Sequence, residues 1–520
     1  MRIAIRHFLP SSAASTTPAS RPALRPRETV AVRRALAIFF CALTACASNQ
    51  SPAEYTHGVV ASVSPAATEA GVRVLKQGGN AIDAAVAVGL TLGVVDGENS
   101  GIGGGCLMLI RRANGKIECV DGRETAPGRA TRDMFLKNGK GDTELSQVGA
   151  LASGVPGALA AYDYALRHFG SKGLKELILP AAALAEQGFV VSEGYAARLK
   201  GVASELQRFD ATREIYCRDG KPIAAGEVLR QPDLARTYRN IAEHGARWFY
   251  RGPFARVTEE WMRAHGGIMT EADFRHYKPI HRSPVLTTYR GYEIAGFPPP
   301  SSGGIHVAEI LNILENFDLK NSEPGTRLHL IAEAMKLAFA DRAYWLGDSA
   351  FARVPRGLLD KGYAKSLAAK INPEHVTPVL SHGTPPNATT DIFKHQHTTH
   401  FCVADAQGNW VACTATINTT LGSKVVIPGT GVVMNNEMDD FSVQPGVRNF
   451  FGLVGAEANA VAPGKRPLSS MSPTIALRDG KPVIAIGAAG GPTIITSVLL
   501  GLVDMIDLGQ DGATALRQPR

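Results

Sequence analysis

No CxxC pair occurs anywhere in this chain. Of its seven cysteines, Cys41 and Cys46 lie near the N-terminus, and the other five are odd in number: Cys106, Cys119, Cys217, Cys402 and Cys413. That pattern gives neither a disulfide framework nor a zinc site. Basic runs interleaved with aromatics are also missing. The net charge of +8 is an N-terminal effect, since seven arginines against one glutamate precede Cys46 and supply +6 of it. Nucleic-acid binding is excluded on that ground. An unbroken membrane span is lacking too. Val483 to Val503 is long enough to cross a bilayer, but Gly487, Gly490, Gly491 and Pro492 interrupt it. It reads as a strand, a glycine turn and a helix, with Pro492 at the first helical position. The composition, 45% hydrophobic and 20% charged over 520 residues, leaves no sign of disorder and suffices for a large core.

The first 46 residues read as an export signal. Arg33 and Arg34 precede a short apolar stretch, Ala35 to Ala42, containing Phe39 and Phe40. Leu43-Thr44-Ala45-Cys46 then has the shape of a lipobox, in which Cys46 is lipidated and becomes the first mature residue. An ordinary signal peptide cut near Ala45 or Ala47 is the alternative. Either way the expectation is an exported, periplasmic protein that meets a membrane only through an N-terminal lipid.

Ala61 to Val95 has the texture of helices punctuated by Gly78-Gly79-Asn80. Ser100-Gly101-Ile102-Gly103-Gly104-Gly105 precedes the apolar strand Cys106 to Ile110. These glycines come before a strand rather than between a strand and a helix, so they make a weak dinucleotide signal. Lys116 to Val120 reads as a hairpin partner ending in the charged turn Asp121 to Glu124. Residues 150–345 read mostly as amphipathic helices, interrupted at Pro298 to Gly304. Residues 373–397 are polar and Pro-rich, and from Thr398 the pattern alternates as strands do.

The stretch TTHFCVADAQGNWVACTATINTT carries the chemistry. Thr399 to Asp405 and Trp410 to Thr416 are strand-like, joined by turn residues Ala406 to Asn409. Thr398 and Thr416 are equally far from Gln407, so an antiparallel hairpin sets them opposite each other. A threonine hydroxyl needs an adjacent base; if the chain is cut before Thr398, the freed α-amine supplies one. That amine has a pKa of about 7.7–8 and is basic near neutrality. On the hairpin alone, a plain Thr-rich sheet is the better reading. Metal binding by His395, His397 and His400 lacks an acidic partner.

Downstream, Asn435-Asn436-Glu437-Met438-Asp439-Asp440 offers carboxylates, and Ser469-Ser470 paired hydroxyls. Gly490-Gly491, ahead of a helix, offers backbone N–H groups for an oxyanion. Each has a bland structural explanation; together they supply a nucleophile, a cation pocket, a carboxylate pocket and an oxyanion site.

TTH, NTTLG, NNEMDDFS, KRPLSSMSPT and GAAGG, in this order, closely resemble the small subunit of γ-glutamyltranspeptidases. GGNAIDAAVA, SGIGGG, DGRETAP, SGVPG, PPPSSGG and AFADRAYWLGD resemble the large subunit, and the match covers roughly residues 55–520. The resemblance implies an α+β fold, the αββα four-layer sandwich of N-terminal-nucleophile hydrolases. It implies autocleavage at His397–Thr398, giving a large subunit of residues 47–397 and a small subunit of 398–520 in one interleaved domain. Thr398 is then the nucleophile and Thr416 its hydroxyl partner. Asn418, Glu437 and Asp440 hold the substrate ammonium, Arg123, Ser469 and Ser470 its carboxylate, and Gly490 and Gly491 the oxyanion. Pro445 to Ala456, with Phe450 and Phe451, resembles a lid loop. The implied reaction cleaves γ-glutamyl amides such as glutathione and passes the glutamyl group to water or an acceptor amine, with no cofactor and no metal. A cephalosporin or glutaryl acylase on the same scaffold, or an inactive surface-anchored binding protein, are the alternatives. The family continues beyond Arg520, so a truncated C-terminus is expected.

Overall fold

The computed structural model describes residues 57–388, 390, 400–444 and 446–519. Two antiparallel sheets organise it. The strands in chain order are β1 (Gly58–Ala61), β2 (Gly105–Arg111), β3 (Ile117–Gly122), β4 (Ile280–Arg282), β5 (Val285–Tyr289), β6 (Tyr292–Gly296), β7 (Phe401–Asp405), β8 (Trp410–Thr416), β9 (Thr474–Arg478) and β10 (Lys481–Ile486). The first sheet has the order β1-β7-β8-β2-β3-β4 and the second β5-β6-β9-β10. Both sheets therefore combine strands from before and after residue 397.

Side-chain alternation sorts the core into layers. In β2, Cys106, Met108 and Ile110 face a helical cluster, while Leu107 and Leu109 pack with Phe297, Ile475 and Leu477 of the second sheet's side. Both faces of β2 are buried, which is why its sequence is a continuous apolar run. The helical cluster on the first sheet includes α1 (Pro65–Lys76), α2 (Ala81–Val95), α3 (Ala158–Phe169) and α4 (Leu174–Gln187). Beyond α4 come α5 (Glu193–Gly201) and α6 (Pro232–His244), the latter packed on α4. The outer face of the second sheet carries Val285, Tyr289, Ile294 and Ala476 against α7 (Gly303–Leu314), α8 (Pro324–Trp345) and α9 (Thr493–Ile506). Helices thus cover the outer face of each sheet, and a narrow apolar core lies between the sheets.

The two helices expected within Ala61 to Val95 are α1 and α2. Asn80 caps α2, accepting from Ile82 N and Asp83 N, while Asp83 accepts from Asn80 N in return. One expectation fails. Residues 280–296, read as part of a helical region, form β4, β5 and β6. Val285, Thr287 and Tyr289 are buried and the residues between them exposed, a period of two. A second, smaller correction concerns Pro492, which precedes the first turn of α9 as its cap rather than opening it. The apolar run around it does divide into β10, a glycine turn and α9. Among the described residues no helix is long and apolar enough to cross a membrane.

Candidate active site

A cavity of about 410 Å³ opens where the ends of β8 and β10 meet the loops after them. Its walls include all nine of the described residues singled out from the sequence: Arg123, Thr416, Asn418, Glu437, Asp440, Ser469, Ser470, Gly490 and Gly491. Residues 391–399, with His395, His397 and Thr398, fall outside the described residues, as does Cys46. His400 is described and lines the cavity; burial pushes its pKa down to about 3, leaving it neutral beside Cys402, 2.9 Å away.

The hairpin β7–β8 has the register expected. Phe401 pairs with Cys413 and Ala404 with Trp410, and the turn is centred on Gln407. Thr416 ends β8, and its Oγ1 accepts from Asn418 N at 2.7 Å. Asn418 itself is left-handed, with φ +78°, and its amide donates to Asn436 O at 3.0 Å. The glycines before β2 are spacers for backbone contact. A Cβ on Gly103 would lie 1.9 Å from Val433 O, and one on Gly104 1.9 Å from Thr416 O. Their place against two main chains accounts for the run without any nucleotide.

Within NNEMDD the roles divide. Asn435 is structural: its amide donates to Gly103 O and Gly154 O, both at 2.8 Å, and accepts from Gly154 N and Glu437 N. Asn436 accepts from Thr419 N and donates to Gln147 O. Glu437 and Asp440 turn inward through a single 3₁₀ turn and meet Arg123, at 2.6 and 2.5 Å. Glu124 adds a third carboxylate 3.8 Å from the same guanidinium. Burial works against the Arg123 charge, but the acids outweigh it and raise its pKa. Burial pushes Glu124 up to about 8, and Glu437 well above the usual carboxylate range against the pull of Arg123. Glu437 and Asp440 line the cavity beside this buried cation and offer carboxyl oxygens to a ligand's N–H donors.

Arg123 is thus paired with the acids rather than with the serines. The cation at the serines is Arg342, to which the sequence reading assigned no role. Its Nη2 donates to Ser470 Oγ at 2.8 Å and its Nε to Ser302 Oγ at 3.0 Å. Ser302 Oγ in turn donates to Ser469 O at 2.8 Å. The motifs PPPSSGG, AFADRAYWLGD and KRPLSSMSPT therefore meet at one guanidinium.

Gly490 and Gly491 have φ of +119° and +60° in the turn ahead of α9. A Cβ on Gly491 would stand 2.4 Å from the ring of Phe451, so the loop around residue 451 lies directly over this turn. Asp439 anchors that loop by accepting from Phe450 N at 2.8 Å. Phe450, Phe451 and Leu453 line the cavity.

The γ-glutamyltranspeptidase family pattern matches residues 67–520, and the chain belongs to that family. It is 45% identical over 474 residues to the glutathione hydrolase proenzyme of Escherichia coli K12, covering 90% of this chain and 81% of that protein. Among solved structures it is similar to the cephalosporin acylase of Bacillus halodurans, with a TM-score of 0.81 and 30% identity, over 91% of this chain and 86% of the other. The γ-glutamyltranspeptidase of Helicobacter pylori matches with a TM-score of 0.62 and 41% identity, over 63% of this chain and 95% of that one.

Proposed function

We propose that this enzyme cleaves γ-glutamyl amides, glutathione among them, by way of a γ-glutamyl ester on Thr398, after cutting its own chain at His397–Thr398. The observation that carries this reading is the shared cavity, in which Arg123, Glu437 and Asp440 stand with Ser470, Gly490, Gly491 and Thr416. Thr416 ends β8 at the wall of that cavity, on the strand that pairs with β7.

In the reaction the freed α-amine of Thr398 takes the hydroxyl proton as the oxygen attacks the γ-carbonyl. Thr416 orients the nucleophile. The N–H groups of Gly490 and Gly491 receive the oxyanion, and the amine proton leaves with Cys-Gly or another amine. Water or an acceptor amine then takes the glutamyl group. Glu437, Asp440 and Asn418 hold the substrate ammonium. Ser469 and Ser470 hold its carboxylate, with Arg342 behind Ser470 and Arg123 balancing the acids. Self-cleavage gives a large subunit that ends at His397 and a small subunit that begins at Thr398, and both contribute strands to each sheet. Export to the periplasm, with a lipid on Cys46, completes the reading; a Cys46→Ser protein then loses membrane association.

The acylase reading draws on the similarity to the Bacillus halodurans enzyme. Glu437 and Asp440 on the cavity wall speak against it, because an acyl group without an ammonium brings no donor to their carboxyl oxygens. Release of p-nitroaniline from γ-glutamyl-p-nitroanilide, with none from glutaryl-p-nitroanilide, is the expected result. The reverse preference would overturn the assignment.

A further inference from the structure

Residues 372–383, on the approach to the scissile bond, are laid along α8 by hydrogen bonds spread over its length. His329 Nε2 meets Asn372 O at 2.8 Å, Lys336 Nζ donates to Thr377 O at 2.7 Å, and Glu333 accepts from Thr377 N at 3.1 Å. Gly383 is held more elaborately. Its N–H donates to Asp341 Oδ1, and its carbonyl accepts from Trp345 Nε1 at 3.2 Å. Asp341 Oδ2 accepts in turn from Tyr363 Oη, on the helix Lys361–Ala368. A Cβ on Gly383 would stand 1.9 Å from that same Oη, so glycine lets the main chain come this close. Behind the anchor lies a buried pair of acids. Asp341 in α8 and Glu309 in α7 are both 0% exposed, and neither Glu309 oxygen has a donor among the described residues. Burial and then the Asp341 charge push the Glu309 pKa well above the usual carboxylate range, so Glu309 keeps its proton and donates it to Asp341. His306, 3.8 Å from Glu309, is neutral, since burial and then Arg342 push its pKa down to about 3. Asp341 thus accepts on both oxygens, as a carboxylate does. Burying two acids is costly where apolar residues would fill the same space. Neither lines the active-site cavity. What the pair holds is the backbone of Gly383, fifteen residues before Thr398.

We propose that Asp341, held by Glu309 and Tyr363, is a positioning residue for self-cleavage, fixing Gly383 and with it the path by which the chain enters the cut at His397–Thr398. This rests on the self-cleavage reading above and deepens it. In that step the Thr398 oxygen attacks the His397 carbonyl. The hydroxyl proton passes to the Thr398 nitrogen as the C–N bond breaks, and water hydrolyses the resulting ester. Attack tolerates little displacement, so an anchored chain reaches the reactive approach more often than a loose one.

The test follows full chains from cell-free synthesis by gel as they convert to two subunits, and assays the cleaved fraction on γ-glutamyl-p-nitroanilide. Gly383→Ala sets a methyl group against Tyr363 Oη without altering the core. It slows conversion roughly tenfold, as does Asp341→Ala. Asp341→Asn keeps an acceptor for Gly383 N and slows it less. Adding Tyr363→Phe to Gly383→Ala removes the oxygen in the way and restores much of the rate. Once cleaved, the Gly383→Ala enzyme has the kcat and KM of the parent, because the anchor serves the cut and not the turnover. A general loosening of the fold lowers kcat as well, so this split separates positioning from mere support. Conversion of Gly383→Ala at the parental rate, no recovery in the double variant, or a matching fall in kcat would overturn the proposal. Failure of the unaltered chain to cleave would remove the self-cleavage reading and the proposal with it.

Discussion

Arg123 and Glu437 form an ion pair of 2.6 Å, with both side chains about 1% exposed. Asp440 meets the same guanidinium at 2.5 Å, but it is 11% exposed and so stands nearer the open cavity. A ligand ammonium therefore reaches Asp440 more readily than it reaches Glu437.

Asp440→Ala accordingly weakens substrate binding by about 2–5 kcal/mol, the usual cost of truncating one member of a buried charge pair. Self-cleavage persists, because it involves no glutamyl head group. The check is KM and kcat on γ-glutamyl-p-nitroanilide, beside gel analysis of processing. Unchanged KM would take Asp440 out of the substrate's reach.

Arg342→Met removes the donor to Ser470 and Ser302 while keeping most of the side-chain volume. Two buried hydroxyls lose a charged partner, at about 1–3 kcal/mol of stability. KM rises as Ser470 loses its orientation. Urea unfolding and substrate titration measure the two effects separately. A stability loss with KM unchanged would make Arg342 a structural residue alone.

Much of this arrangement was readable in the chain, for physical reasons. The β7–β8 hairpin was legible because a short turn around Gln407 fixes the register locally. Helix α2 was legible from its capping residues and its run of small apolar side chains. Strands β5 and β6 were hidden, being five residues each and set between helices, so their period of two is brief. Arg342 was hidden in a different way. It sits in a motif that was noticed, but its contact with Ser470 spans 128 residues, which no local pattern reveals. The pairing of Arg123 with Glu437 and Asp440 was missed because charges alone do not say which opposite charge they meet.

Glu98 gives a pH prediction. Burial, with the nearby Asp96 charge, pushes its pKa up to about 8 from 4.5. The folded chain then keeps a proton that the unfolded chain has lost, so this group's contribution to stability falls as pH rises from 4.5 to 8. In Glu98→Gln that loss is absent. The variant and the parent are equally sensitive to urea near pH 4.5, and the variant gains relative stability up to pH 8, by at most about 1.4 kcal/mol per pH unit. Urea midpoints across that range test this; parallel curves would show an ordinary, solvated Glu98.

In the proposed reaction Thr398 is the residue that carries the glutamyl group. Purified enzyme can be mixed with γ-glutamyl-p-nitroanilide, quenched in acid, digested and mapped by mass spectrometry. The predicted result is a small subunit beginning Thr-Thr-His-Phe, with one glutamyl group esterified to Thr398 and absent from the Thr398→Ala chain. A glutamyl adduct on any other residue, or turnover by an uncleaved chain, would contradict it.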